Sequence, residues 1–136
     1  MAPKLSTRSI TLKKGEKFFL NGALMRVDGP VKIEICTADS VLLPYQILEE
    51  KDASVPLHKI YYCVQQALVE EGNKDKWISK ASSLLGAPEF ANDRLSLEGV
   101  ITDAEKGDQI KALRQLRNLI KSQYGTFSIS YVEDAH

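Results

Sequence analysis

From Ile10 to Ile35 the apolar positions fall in short runs separated by glycine and charge, the spacing of a sheet built from hairpins. Asn21-Gly22 is the strongest local signal. Both residues tolerate the positive φ of a type I′ turn, and strand-forming residues flank them. With those two as the loop, Leu20 faces Ala23, Phe19 faces Leu24, Phe18 faces Met25 and Lys17 faces Arg26. A second reversal at Asp28-Gly29-Pro30 would set Arg26 opposite Lys32 and Met25 opposite Ile33. That register collects Phe18, Leu20, Ala23, Met25, Ile33 and Ile35 on one face, whereas a two-residue loop would mix the faces. The other face then carries Lys17, Arg26 and Lys32 in one row beside Phe19, Leu24 and Glu34. Like charges directly opposite are unfavourable, so the three long chains either splay into water or hold an anion. Val41-Leu42-Leu43 predicts a last short strand before Pro44.

After Lys51 the period lengthens to that of a helix. Asp52 to Leu57 predicts a helix start, with Ser54 or Asp52 as cap and Pro56 in the first turn. Leu57, Ile60, Tyr61, Val64, Ala67 and Leu68 form one apolar face that ends near Glu71-Gly72, with Lys59, Tyr62, Cys63 and Gln66 turned away. A second helix is predicted over 74–85, capped by Asn73 and stopped by Gly86 and Pro88, with Trp77, Ala81, Leu84 and Leu85 inward. A third spans 92–106 on Leu97, Val100, Ile101 and Ala104. The last follows Gly107-Asp108 and runs to Tyr124, with Gly125 as its stop and Ile110, Leu113, Leu116, Leu119, Ile120 and Tyr124 as its buried stripe. Residues 126–132 alternate as a strand does. The expected fold is therefore one α+β domain over 1–136: an N-terminal antiparallel sheet over 9–43 built from hairpins, about four helices over 52–124, and a terminal strand over 126–132.

The chain has 136 residues, 43% hydrophobic and 26% charged, enough for one ordinary core. Eighteen basic and eighteen acidic residues cancel, unlike the composition of a strongly basic, non-specific nucleic-acid binder. Their distribution is uneven. Residues 1–35 hold seven basic residues against three acidic ones, and residues 106–124 hold five against one, a balance of +4 in each. On the last helix Arg114, Arg117 and Lys121 share a narrow arc, with Lys111 further round. The same arc also fits an ordinary solvated helix face.

Catalytic chemistry finds little to stand on. Cys36 and Cys63 have no paired spacing for a zinc site or a disulfide framework and read as small buried apolar residues. His136 is the last residue. His58 lies five residues from Cys63, a spacing that does not stack the two on one helical face, and it reads as a first-turn surface residue. No Gly-rich loop joins a strand to a helix, so no phosphate cradle is indicated. Glu49-Glu50 and Glu70-Glu71 read as solvated charge. No enzyme activity, metal or cofactor is expected. With no apolar run of membrane-spanning length and no charged-then-apolar leader, the expected location is the cytoplasm, away from the membrane.

Three motifs stand in order along the chain. The first is Leu12-Lys13-Lys14-Gly15-Glu16-Lys17, then Phe18-Phe19-Leu20 and Asn21-Gly22. The second is Ile47-Leu48, Asp52-Ala53 and Pro56-Leu57 leading into Ile60-Tyr61 and Val64-Gln65. The third is Gly107-Asp108 followed by Lys111-Ala112-Leu113-Arg114 and Leu116-Arg117. Together they resemble the FlbT family of alphaproteobacterial flagellar regulators over about residues 9–121. Two positions depart from the pattern: Lys14 stands where the family has proline, and Val55 where it has threonine.

The resemblance implies a post-transcriptional repressor that associates with the 5′ untranslated leader of flagellin mRNA and favours its degradation. Some relatives are described as activators, and a small flagellar partner, FlaF, is also implied. RNA binding would use Lys13, Lys14, Lys17, Arg26, Lys32, Arg114, Arg117 and Lys121 along the phosphates and Phe19 as a stacking surface for an unpaired base. The other reading of the sheet has Phe19 and Leu24 seating a helix with the basic chains around its edge. The competing class is a protein-binding adaptor acting through the Tyr62–Gln66 helix face or the C-terminal stretch. Residues 126–132 could also pair with a second copy in a homo-oligomer.

Overall fold

The computed structural model describes residues 8–125 and Phe127. The strand expected over 126–132 lies outside the described residues, Phe127 excepted. Among the described residues the architecture is α+β: antiparallel strands in two small sheets, then four α-helices. The strands are β1 (Arg8–Leu12), β2 (Lys17–Leu20), β3 (Ala23–Arg26), β4 (Val31–Ile35) and β5 (Val41–Leu42). The helices are α1 (Pro56–Val69), α2 (Lys74–Leu84), α3 (Arg94–Glu105) and α4 (Gln109–Tyr124). The chain divides into two compact units, residues 1–47 and 48–136.

In the first unit β2 and β3 pair in the register the Asn21-Gly22 turn dictates, from Lys17 opposite Arg26 to Leu20 opposite Ala23. Asn21 and Gly22 take φ of 44° and 97°, the left-handed backbone this turn demands. Asn21 also reaches further. Its Oδ1 accepts the backbone N–H groups of Asp39 and Ser40 at 3.0 and 2.9 Å, and its own N–H donates to the Ser40 carbonyl at 2.8 Å. The turn is thereby tied to the approach to β5, which pairs with the other edge of β2, Phe19 opposite Leu42. β2 is the centre of a three-stranded sheet, and both Phe18 and Phe19 are buried.

The expected β3–β4 hairpin does not form. β4 pairs with β1 in a separate two-stranded sheet, Ile10 opposite Ile33 and Lys32 opposite Thr11. This partner offers the same separation of faces: Ile10, Leu12, Val31, Ile33 and Ile35 on one side, Ser9, Thr11, Lys32 and Glu34 on the other. It also avoids a second cross-strand pair of like charges, because Arg26 no longer stands opposite Lys32. Asp28-Gly29-Pro30 consequently links two sheets instead of closing one hairpin.

In the second unit α1 packs against α2 and α4, and α3 against α2 and α4. Ile60, Tyr61 and Val64 of α1, Leu97 and Ala104 of α3, and Ala112, Leu113, Leu116 and Ile120 of α4 are fully or almost fully buried. Gln65 is buried too. Its Oε1 accepts the Leu48 N–H at 2.7 Å and its Nε2 donates to the Leu48 carbonyl at 2.9 Å, clamping the chain ahead of α1. α1 starts on Val55 with no side-chain cap from Ser54 or Asp52; Pro56 opens the helix and removes one N–H that a cap would have served. Asn73 precedes α2, yet its amide donates to Glu70 instead of capping. Gly125, at φ 81°, stops α4.

Candidate functional site

The basic residues of the first unit do not assemble as a row of three. Lys13 and Lys14 are exposed on the turn between β1 and β2. There Gly15 takes φ 87° and the Glu16 carboxylate accepts the Lys13 N–H at 2.7 Å, so the Gly-Glu pair of the first motif builds the turn. Lys17 and Arg26 remain cross-strand neighbours, whereas Lys32 sits on the other sheet, facing Thr11 with Glu34 on the same face. Phe19 is only 1% exposed. Burying a phenylalanine contributes roughly 1.5–3 kcal/mol, and a base–aromatic stack returns about 1–3 kcal/mol. Pulling Phe19 out to meet a base would gain nothing, so it belongs to the core opposite Leu42.

The last helix keeps its basic flank. Gln109–Tyr124 contains no carboxylate, and Arg114, Arg117 and Lys121 fall in one arc with Arg114 and Lys121 exposed. Arg117 is half-buried and its Nη1 donates to the Tyr61 hydroxyl at 3.1 Å. Tyr61 is wholly buried, so this bond gives its hydroxyl a partner away from water, while other guanidinium N–H groups remain for a second acceptor. Lys111 pairs with Asp103 at 3.6 Å and holds α4 to α3.

Tyr124 departs from the expected buried stripe. It is 47% exposed and lies two helical turns past Arg117, so the cationic flank carries an accessible aromatic ring. The seven-residue step from Arg117 was the signal that could have placed it there. Its ring stands 5.5 Å from that of His58. His58 is buried rather than on the surface, its Nδ1 has no hydrogen-bond partner among the described residues, and burial pushes its pKa below the ordinary imidazole value.

A second feature lies between α1 and α2, on the Tyr62–Gln66 helix face that the sequence offered to a protein partner; the cavity itself had no signal there. Lys59, Tyr62 and Cys63 of α1, Trp77 and Lys80 of α2, and Glu50 line a cavity of about 380 Å³. The Tyr62 and Trp77 rings stand 5.8 Å apart at 89°, and the ammonium groups of Lys76 and Lys80 lie 5.5 and 5.3 Å from the Trp77 ring. Burial raises the Tyr62 phenol, with the Glu50, Glu70 and Glu49 carboxylates adding to the shift. Burial also raises the Cys63 thiol against the opposing pull of Lys80, so Cys63 is a protonated wall residue and does not face outward. Cys36, in contrast, is exposed. Gln66 and Asn73 donate to the half-buried Glu70 carboxylate and lower its pKa from the ordinary carboxylate value. The Trp77 indole N–H faces that carboxylate from outside hydrogen-bond geometry.

A wider opening of about 740 Å³ between α3 and α4 runs past Leu95, Gly99 and Leu119, and among the described residues Asp103 is the one charged residue on its walls, so they bring no positive charge to a phosphate. Among the described residues no group of three or more His, Cys, Asp or Glu is arranged to hold a metal ion, and no helix is long and apolar enough to cross a membrane.

Comparison with known proteins follows the same boundaries. A family model described as "Flagellar protein FlbT" matches residues 9–125, from the second residue of β1 to the glycine that ends α4. A "Probable flagellum biosynthesis repressor protein FlbT" of Allorhizobium ampelinum is 32% identical over 118 residues, covering 84% of this chain and 79% of its own length. Proteins of the same name from Agrobacterium fabrum and Rhizobium leguminosarum bv. trifolii are 31% identical over 120 residues and 30% over 118, each covering 82% of this chain and 79% of its own length. No solved structure matches the chain. With the match spanning both units and all three motifs, the chain belongs to the FlbT family of flagellar proteins.

Proposed function

We propose that this protein represses flagellum biosynthesis after transcription, by associating in the cytoplasm with the 5′ untranslated leader of flagellin mRNA and promoting its degradation, with no catalytic chemistry of its own. The relatives named repressors support the direction of regulation. The observation that carries the RNA reading is the α4 flank, where Arg114 and Lys121 are exposed, Arg117 keeps spare donors and Tyr124 offers a ring face, on a helix without a carboxylate. Cations that follow a phosphate chain beside a stacking ring are what single-stranded RNA binders use.

The test is fluorescence anisotropy of a labelled flagellin leader RNA over a range of salt. Affinity should fall as salt rises, and Arg114→Gln with Lys121→Gln should flatten the slope of log affinity against log salt by about 1.4, at about 0.7 per lost phosphate contact. Arg117 is left in place, because removing it would break its bond to the buried Tyr61 hydroxyl and mix a folding effect with a binding one. Absence of RNA binding would refute the reading and favour an adaptor. A FlaF-type partner belongs to the proposal as a further component: recovery in a pull-down that persists after ribonuclease treatment would show contact through protein rather than through RNA.

A further inference from the structure

We propose that the cavity between α1 and α2 holds one unpaired nucleotide of the bound RNA, its base against Tyr62 and Trp77, its phosphate on Lys59 and Lys80, and its exocyclic amine on Glu50. This rests on the RNA reading above and adds a contact that the α4 flank does not supply. Size comes first. At about 380 Å³ the cavity falls within the roughly 300–1,000 Å³ of small-ligand pockets, large enough for a single nucleotide and too small for a duplex. The walls come next. The half-buried Tyr62 ring gives a planar base a face to stack on, Trp77, 9% exposed and at 89° to it, forms the wall that the base edge abuts, and base–aromatic stacking tolerates any base.

Charge then narrows the ligand. Lys59 and Lys80 on the lining, with Lys76 over the Trp77 ring, provide for a phosphate. The Glu70 carboxylate near Tyr62 is engaged by Gln66 and Asn73, so the lining carboxylate is Glu50. A carboxylate repels phosphate but accepts a hydrogen bond from a base amine, as it does from the cytosine amino group. The cavity therefore suits cytosine, adenine or guanine and disfavours uracil, which has no such amine. A protein partner with an apolar anchor could use the aromatic walls but would leave both the ammonium groups and Glu50 to be matched separately.

The chain contains a single tryptophan, so the emission of Trp77 reports on this cavity alone. Labelled oligocytidylate and oligouridylate RNA are titrated into the full chain, with anisotropy and Trp77 emission read together. Oligocytidylate should quench Trp77 saturably and bind more tightly than oligouridylate. Tyr62→Ala should weaken oligocytidylate on the order of tenfold, the scale of one lost stack. Lys80→Gln, which removes no ring and leaves no large void, should weaken both RNAs, and Glu50→Gln should narrow the preference between them. RNA binding by anisotropy with Trp77 emission unchanged overturns the nucleotide pocket alone, returns the Tyr62–Trp77 wall to a protein-docking surface and leaves the α4 reading intact. No RNA binding at all overturns both.

Discussion

Gln65 is where a single side chain most clearly determines the fold. Its amide makes two hydrogen bonds to the backbone of Leu48, and both residues are buried, at 2% and 6% exposure. Gln65→Leu keeps a side chain of similar length and removes both bonds. The Leu48 N–H and carbonyl then lose their partner in a place water does not readily reach. Each orphaned group costs about 1–3 kcal/mol, and partial relaxation leaves about 2–4 kcal/mol for the two. For a unit the size of the helical one, where about 1 kcal/mol shifts melting by roughly 4–8 °C, the loss should be on the order of 10–20 °C by far-UV circular dichroism.

Gln65→Glu provides an internal control. Its ionised carboxylate can accept the Leu48 N–H but meets the Leu48 carbonyl with like polarity, whereas its protonated form can donate. Burial beside a carbonyl oxygen raises the folded pKa of such a group. The stabilising interaction is then present below the unfolded pKa and is lost as pH rises through the folded one. The Glu variant should approach the parent on acidification and fall behind it near neutrality. If Gln65→Leu melts within about 2 °C of the parent, the clamp contributes little and the Leu48 backbone is satisfied in another way.

Two further changes test the remaining buried groups and the hairpin. Because burial lowers the His58 pKa, the unfolded chain takes up a proton first: this part of the stability is intact above about 6.5 and is lost as pH falls from there through the folded value. His58→Gln should therefore gain on the parent in urea unfolding as pH drops, and a difference that stays constant with pH would refute the account. Asn21→Ala meets both a left-handed backbone, costing about 1–2 kcal/mol, and the loss of the Asp39 and Ser40 contacts, whereas Asn21→Gly keeps the φ and loses only the contacts. Alanine should be the more destabilising of the two in urea, and equal midpoints would show that the φ of 44° carries no cost.

What could be read ahead of the structure divides by range. The β2–β3 register was legible because Asn21-Gly22 encodes it locally, and the four helices were legible because each carries its own periodic stripe. The β1–β4 pairing was not. Hairpin reasoning favours neighbours, and β1 offers β4 as good an alternation as β3 does, so of these features only the avoided Arg26–Lys32 clash separates the two solutions. His58, Cys63 and Gln65 were hidden for another reason. α1 packs against α2, α3 and α4, so residues off its main stripe are buried as well, which a one-faced helical pattern does not anticipate.

The candidate surfaces follow the same division. Positive charge was legible by counting, but its availability is set by partners far away in sequence: Tyr61 takes a bond from Arg117, Asp103 pairs with Lys111, and Thr11 replaces Arg26 opposite Lys32. An aromatic beside that charge was expected on the sheet at Phe19, where the added β5 strand buries it. It occurs instead at Tyr124, where α4 runs out and its last turn is exposed. The Tyr62–Trp77 cavity had no linear signature at all, since its two rings come from different helices and only their packing sets them at right angles. A stacking surface needs a ring with one face left open, and that depends on what covers the other face. For this reason charge patches survive the passage from sequence to structure as composition, while aromatic sites must be located from the packing itself.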